Sequence, residues 1–253
     1  SEYTEILERK LAAAGNRAKG FGKLVTLSLQ KRLLSSVEAF ARTLSVHRKN
    51  AAKTIVAVIP KGSDAPMALN LFQEDDGEDI ADADLAEVED VEIARATRAG
   101  ASAEDDVRAK KLLGEMSALA EASRDRPDAK IEHLLAWIQE HQCPDLMQSG
   151  KGSKTSAKWL PRRVLIFTEY TDTKDYLLHQ LEAAIARTDR ADDRVLVLHG
   201  GMDEEKREEI KQAFNDPHHP VRILIGTDAA REGVNLQAQC SDLFHFDLPW
   251  NPG

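Results

Sequence analysis

Cysteine is scarce in this chain. Cys143 and Cys240 are the only two among 253 residues, too few for a disulfide framework or a four-ligand zinc site. Aromatic residues make up 5% of the sequence. No run of about 18 or more apolar residues occurs, which excludes a membrane-spanning helix. The opening segment SEYTEILERK lacks the basic and apolar regions of a signal peptide. A reducing, cytoplasmic setting with no membrane partner is therefore expected. What is present, 42% hydrophobic and 30% charged residues, fits a soluble globular chain. Its length suits one large domain or two small ones.

The net charge of −9 argues at first sight against a nucleic-acid partner. Its distribution reverses that argument. Residues 74–106 hold 14 acidic side chains and two arginines, a local net charge of −12. The remaining 220 residues carry 29 acidic and 32 basic side chains, so they are mildly positive at +3. The acidity belongs to one segment, and the rest is compatible with a phosphate-rich partner.

The first half reads as helices. Ile6, Leu7 and Leu11 give a short apolar face. Leu33, Leu34, Val37, Phe40, Ala41 and Leu44 give a longer one at spacings of three and four. Ser35 and Ser36 can instead cap a helix that starts there, so the beginning of that face is open. The acidic segment is poor in aromatics and self-repelling, which predicts a mobile insertion that is helical in part. As a solvated spacer it needs no partner; as an acidic surface it would take a protein or mimic nucleic acid. Val107, Leu112, Leu113, Met116 and Leu119 then resume helical spacing. A cleaner helix follows, with Pro127 and Asp128 as its start signal and Ile131, Leu134, Leu135 and Ile138 on one face. Trp137 lies beside that stripe and reads as packed. The Gly-, Ser- and Lys-rich stretch 148–157 reads as a flexible loop.

After Pro161 short apolar runs alternate with helices. The runs are 163–167, 195–198, 221–225 and 243–246. The intervening helices include one with Tyr176, Leu177, Leu181 and Ile185 as apolar positions, and a charged one over 203–214. This alternation predicts parallel strands buried on both faces, hence an open α/β sheet. In such sheets functional groups gather just beyond the carboxyl ends of the strands. Thr168, His199, Thr227 and Asp247 fall there.

Several motif-like stretches carry no chemistry. SGKGSKTS lacks the P-loop spacing and the strand that leads into it, so its amides cannot form a phosphate cradle. The run Asp203-Glu-Glu-Lys206 sits at a helix start, where carboxylates complement the helix dipole, and reads as capping rather than a Mg-binding box. His218 and His219 lie in a Pro-bounded loop, and they have no metal-ligand spacing with His199 or His245. No histidine stands near either cysteine in a pattern that would activate a thiol.

One ordered constellation remains: RVLIFTEYTDTKDYL, VLHGGMDEEKREEIKQAFN, ILIGTDAAREGVNLQ and LFHFDLPWNPG. Together these resemble the second RecA-like lobe of superfamily-two helicases and translocases. The likeness is closest to the Swi/Snf-like and RapA-like branch, whose prokaryotic members include phage-defence proteins of the DISARM type. It is strongest over 162–253, and AAREGVNLQ and DLPWNP are its most specific pieces. The helix with Asp128, Lys130 and Leu134 is similar to the one that precedes this lobe, and LQKRLLSS to the helical lead-in of RapA-like chains. The implied fold is a RecA-like α/β sheet with flanking helices over 128–253. A mostly helical region with the acidic insertion precedes it over 1–127.

The resemblance also implies roles. Thr168, Glu169, Tyr170 and Thr171 correspond to a loop that touches the nucleic-acid backbone. His199, Gly200 and Gly201 match a second such loop, where a Gly pair lets a phosphate approach the peptide amides. Thr227 matches the start of the motif that joins nucleic-acid contact to the ATP site. Asp228 caps the next helix or couples to the other lobe. Arg231, Glu232, Gly233 and Asn235 face nucleotide across the interlobe cleft, with Asn235 locking the turn by side-chain-to-backbone bonds. The implied cofactors are ATP and Mg2+, held mainly by a first RecA-like lobe of the same parent chain. The implied nucleic acid is duplex DNA, along which such relatives translocate.

The family's P-loop lysine, Mg-binding acidic pair and terminal arginines are not among these 253 residues. Phosphoryl transfer depends on positioning and charge neutralisation by all of them. The segment alone is therefore expected to be inactive, with no catalytic residue of its own. A reading of another class is that the sheet is a retained scaffold and the helical half, with its acidic insertion, docks a partner.

Overall fold

A serine sets where the first helices break. In the computed structural model, which describes residues 2–6, 16–53, 103–124, 126–146, 157–227 and 235–247, α1 (Asn16–Ser35) stops just before Ser36 and α2 (Val37–Lys53) starts just after it. The amide of Ala39 donates to Ser36 Oγ at 3.0 Å, the bond expected of an N-cap serine. The chain forms two units, the first ending at Arg124 and the second beginning at Asp125. Leu7, Leu11, residues 74–102, most of the 148–157 loop, Asp228, Arg231, Glu232 and Gly233 lie outside the described residues.

In the first unit, α1, α2 and α3 (Ala103–Ser123) pack around Leu29, Leu44, Ala109 and Leu113, with Tyr3 and Ile6 joining from a short helical stretch over 2–6. The sequence placed Leu33 and Leu34 on the same apolar face as Leu44. They are instead 54% and 75% exposed, because the break at Ser36 takes them out of register with α2. Val107 and Leu119 are likewise exposed, and α3 buries Ala109, Leu113 and Ala120 in their place. Small residues let α3 sit close to α2, and the hydrophobic count alone could not show that. Arg124 joins α2 by ion-pairing with Glu38, and the Tyr3 hydroxyl hydrogen-bonds His47 Nε2 in the core.

The second unit opens on α4 (Ala129–His141). Asp128 accepts a hydrogen bond from the Ile131 amide at 2.9 Å, and Ile131, Leu134 and Ile138 are buried, as the spacing predicts. Trp137 is packed edge-on against Phe244 and His141, with ring centroids 5.1 and 4.9 Å away. The sheet comprises β1 (Arg163–Thr168), β2 (Val195–Leu198), β3 (Ile223–Thr227) and β4 (Cys240–His245). Their order is β2-β3-β1-β4, and every pairing is parallel. Two helices flank it, α5 (Thr171–Ile185) and α6 (Glu204–Asn215), and α5 packs on β1, β2 and β3. Tyr176, Leu177, Leu181 and Ile185 are buried on α5. On α6, Ile210 and Phe214 close a core with Leu165, Phe167, Leu198, Val221 and Leu224.

Burial on both faces holds for the central strands β1 and β3, which are buried throughout. It fails for β2 and β4, which flank that pair and keep partly exposed residues. β3 also starts two residues later than its apolar run and continues through Gly226 and Thr227, because pairing with β1 carries it to Thr168. β4 starts at Cys240, where polar side chains give no apolar signal.

Arginines latch the amino-terminal edge of this sheet. Arg163 donates to the carbonyls of Phe214, Asp216 and His219. Arg194 donates to those of Asp189 and Pro220, and Arg222 to those of Leu160, His219 and Val221. Burial, together with its neighbours Arg194 and Arg163, lowers Arg222 to about 10.

Candidate nucleic-acid interface

All-parallel pairing brings Thr168, Leu198, Thr227 and His245 to one edge of the sheet, with Thr168 and Thr227 as direct register partners. The loops that follow β1, β2 and β3 therefore leave from the same side. This is the carboxyl-end edge of the sheet, where the alternating pattern places the candidate groups.

The end of β1 is held from two directions. Thr168 Oγ1 donates to Asp247 Oδ2 at 2.7 Å, and the Glu169 amide donates to Asp247 Oδ1 at 2.8 Å. The Phe246 amide donates to the Phe167 carbonyl at 2.8 Å, so β4 and its exit loop are zipped to β1 up to that edge. Lys130, in the first turn of α4, reaches the same place. Its Nζ donates to the Phe246 carbonyl at 3.3 Å and lies 4.2 Å from the centroid of the Phe246 ring. Burial lowers the Lys130 ammonium from its ordinary range, and Asp128 and Asp247 act against that shift.

Gly226 is required where β3 passes β1. A Cβ there would lie 2.8 Å from Phe167 Cε1, closer than real carbon contacts. The Phe167 ring in turn stacks on His245 with centroids 6.1 Å apart.

Among the predicted backbone-contact residues, Thr168, Tyr170, Thr227 and Gly200 are buried. Tyr170 is the N-cap of α5, and its carbonyl accepts from the amides of Thr173 and Lys174. Glu169, Thr171 and His199 are half-buried and Gly201 is exposed, so these four present surface to solvent. The His199-Gly200-Gly201 turn closes through the Met202 amide, which donates to the His199 carbonyl at 3.3 Å. It feeds into α6, whose first turn carries Glu204 and Glu205. Asp203 occupies the N-cap position without a side-chain cap bond, so the carboxylates there act on the helix dipole rather than by direct capping.

On the nucleotide side, Asn235 is the member of the predicted set that the structure describes. It is exposed, its Oδ1 accepts from the Gln237 amide at 3.4 Å, and its carbonyl accepts from Asn215 Nδ2 at 2.8 Å. The second bond ties the turn to the last residue of α6. Neither thiol is tuned for chemistry, since burial pushes Cys143 up to about 11 and raises Cys240 as well.

Two residues that the sequence reading gives no role contact the end of β1 and its exit loop. Asp247 was placed at a strand end without a role, and Lys130 was noted only for its helix. The signal for Asp247 was its position directly beyond the last apolar run; the signal for Lys130 was its place two residues after a cap.

Comparison with known proteins bears on the same segment. Residues 156–253 match the helicase conserved C-terminal domain. An uncharacterized ATP-dependent helicase, YqhH, of Bacillus subtilis (strain 168) is 34% identical over 95 residues. Those residues are 38% of this chain and 15% of the Bacillus protein. The SNF2 domain-containing protein CLASSY 4 of Arabidopsis thaliana is 30% identical over 91 residues, 36% of this chain and 8% of the plant protein. CLASSY 3 of the same plant is 28% identical over 94 residues, 37% of this chain and 6% of that protein. The chain thus spans a small part of the length of the curated relatives it matches. A parallel RecA-like sheet, with the strand-end motifs in order and these relatives on the same residues, supports reading residues 156–253 as similar to the C-terminal helicase lobe of superfamily-two, Snf2-like proteins.

Proposed function

We propose that the chain supplies the second motor lobe of an ATP-dependent translocase that runs on nucleic acid, with duplex DNA as its track. The observation that carries this reading is the shared edge of the sheet. There the loops after β1 and β2 and the end of β3 emerge together from paired strands, of which β1 and β3 are buried throughout. Glu169, Thr171, His199 and Gly201 line the exposed part of that edge, with Thr168, Tyr170, Gly200 and Thr227 fixing it from below. Backbone amides at a Gly pair and a helix start suit phosphate oxygens, which hold no sequence information.

In this reading Asp228, Arg231, Glu232, Gly233 and Asn235 form one wall of an ATP site completed by a first lobe of the parent chain. The bond from Asn215 to the Asn235 carbonyl supports that wall from α6. Among the described residues no group of three or more His, Cys, Asp or Glu side chains gathers. Mg2+ is assigned to the first lobe because the resemblance implies it. When bound, the Mg-nucleotide supplies the phosphoryl chemistry; this chain's part is to bind, orient and close. The lobe by itself turns nothing over. Residues 1–127 serve as a lead-in whose acidic stretch offers a protein partner a negatively charged surface, and the protein works in the cytoplasm, in phage defence of the DISARM type.

ATP turnover by the full-length parent, with and without duplex DNA, single-stranded DNA and RNA, tests this reading, with the present segment as the control. Stimulation by duplex DNA and a silent segment are expected. A folded parent that is silent under every condition would favour a non-catalytic docking module on the same sheet.

A further inference from the structure

We propose that Lys130 is a positioning residue, acting through Asp247 to hold the loop after β1 in the conformation that meets nucleic acid. The inference rests on the reading of that loop as a backbone-contact loop. Three elements distant in sequence converge on one short exit from the sheet. Asp128 fixes the first turn of α4 by accepting from the Ile131 amide, so Lys130 is presented from a capped and therefore ordered turn. Its ammonium donates to the Phe246 carbonyl at 3.3 Å and lies over the Phe246 ring. The adjacent Asp247 then uses both carboxylate oxygens on the end of β1, one on the Thr168 hydroxyl and one on the Glu169 amide.

This geometry suits support better than direct contact. The stem of Lys130 is half-buried, and Nζ is spent on a carbonyl and a ring face. Asp247 carries a negative charge, and a negative charge placed at a phosphate-binding edge only opposes binding unless its hydrogen bonds shape that edge. Thr168 is fully buried, so the carboxylate on its hydroxyl acts from beneath the loop. The neighbouring Lys130 charge offsets the Asp247 carboxylate, which lets a carboxylate serve here as a strut. Phe246 is 9% exposed and Lys130 and Asp247 are half-buried, so the hydrogen-bond network is partly withdrawn from water and keeps more of its strength.

The test uses Lys130→Met, Lys130→Arg, Asp247→Asn and the Lys130→Met/Asp247→Asn double variant in the present chain, probed with a fluorescent 20-base-pair duplex at several salt concentrations. Support acting in series predicts that Lys130→Met and Asp247→Asn each weaken binding by about tenfold. The double variant is then no weaker than the worse single, and Lys130→Arg recovers most of the loss. The salt slope stays at its wild-type value, because no phosphate contact is removed. If Asp247→Asn instead tightens binding and the two changes add, the groups act by simple charge and the proposal is wrong. If Lys130→Met lowers the slope by about one phosphate contact, Lys130 touches the backbone directly and the proposal is also wrong. Hydrogen exchange of the peptide spanning 168–175 without nucleic acid gives an independent reading. Lys130→Met should deprotect the Glu169 amide while α5 beyond Tyr176 stays protected, and unchanged protection overturns the proposal. That result stands whether or not the wild-type chain binds duplex, and absence of wild-type binding counts against the backbone-contact reading alone.

Discussion

Arg163 begins β1 and is 2% exposed, and its guanidinium donates to the carbonyls of Phe214, Asp216 and His219 at the end of α6. A helix end leaves its last carbonyls without intrahelical donors, and a cation there also complements the dipole. Arg163→Met keeps the stem and removes every donor, so the buried Phe214 carbonyl and the Asp216 carbonyl lose it, while His219 keeps its bond from Arg222. The expected cost is about 3 kcal/mol, read as a lower urea midpoint with unchanged slope. Arg163→Lys should recover only part, since one ammonium cannot span three carbonyls. The sequence held the clue in plain form: Arg163, Arg194 and Arg222 each stand at or just before a strand. Nothing in a single sequence says which carbonyls such arginines reach, because Arg163 reaches the Phe214 carbonyl 51 residues away and Arg194 the Pro220 carbonyl 26 residues away.

His47 carries a second residue-scale prediction. Burial lowers it from 6.5 to about 4, and its partner Tyr3 is raised by the same cause. The folded state therefore prefers neutral imidazole, and the unfolded chain takes up the proton first as pH falls. Stability of the first unit is present in full above about 6.5 and is lost progressively down to about 4. The upper bound on the loss from this group is about 3 kcal/mol. His47→Gln keeps a polar group for the Tyr3 hydroxyl without the titration, and should flatten the pH dependence of thermal unfolding between 7 and 5. An unchanged dependence would assign it to other groups.

At the scale of elements, capping residues were the most legible feature and face assignments the least. Asp128 and the Ile131–Leu134–Ile138 stripe were readable because the cap and the spacing are both local. Ser36 was readable only as an alternative, and the choice between one helix and two decided whether Leu33 and Leu34 were core. The structure takes the break, and both leucines face out. The strands were legible as apolar runs, but their order was not, since parallel pairing of β1 with β3 and β4 joins residues about 60 and 78 positions apart. Asp128→Ala removes the α4 cap and should lower stability by about 1 kcal/mol, with Asp128→Asn near wild type in chemical denaturation. Equal losses in both would mean the charge, not the cap bond, matters.

For the whole molecule, charge is segregated rather than averaged. The stretch 74–106 holds −12 of the total of −9, leaving a mildly positive remainder. No helix among the described residues is long and apolar enough to cross a membrane. The likeness of the C-terminal part to a helicase C-terminal domain was legible because four strand-end motifs occur in order, each tied to a place where a parallel sheet delivers its loops. The support beneath those motifs was hidden. Lys130, Asp247 and Thr168 are separated by up to 117 positions, and only the folded sheet places a lysine of α4 beside the exit of β4 and a carboxylate beneath the end of β1.

The most direct test is the salt dependence of nucleic-acid binding by this chain, measured on two duplexes of equal length and unrelated sequence. Binding through backbone phosphates predicts equal affinities for the two and a clearly negative slope of log affinity against log salt, about −0.9 for each phosphate neutralised. A slope near zero, or a strong preference for one sequence, would contradict the assignment of this edge as a backbone-reading motor surface.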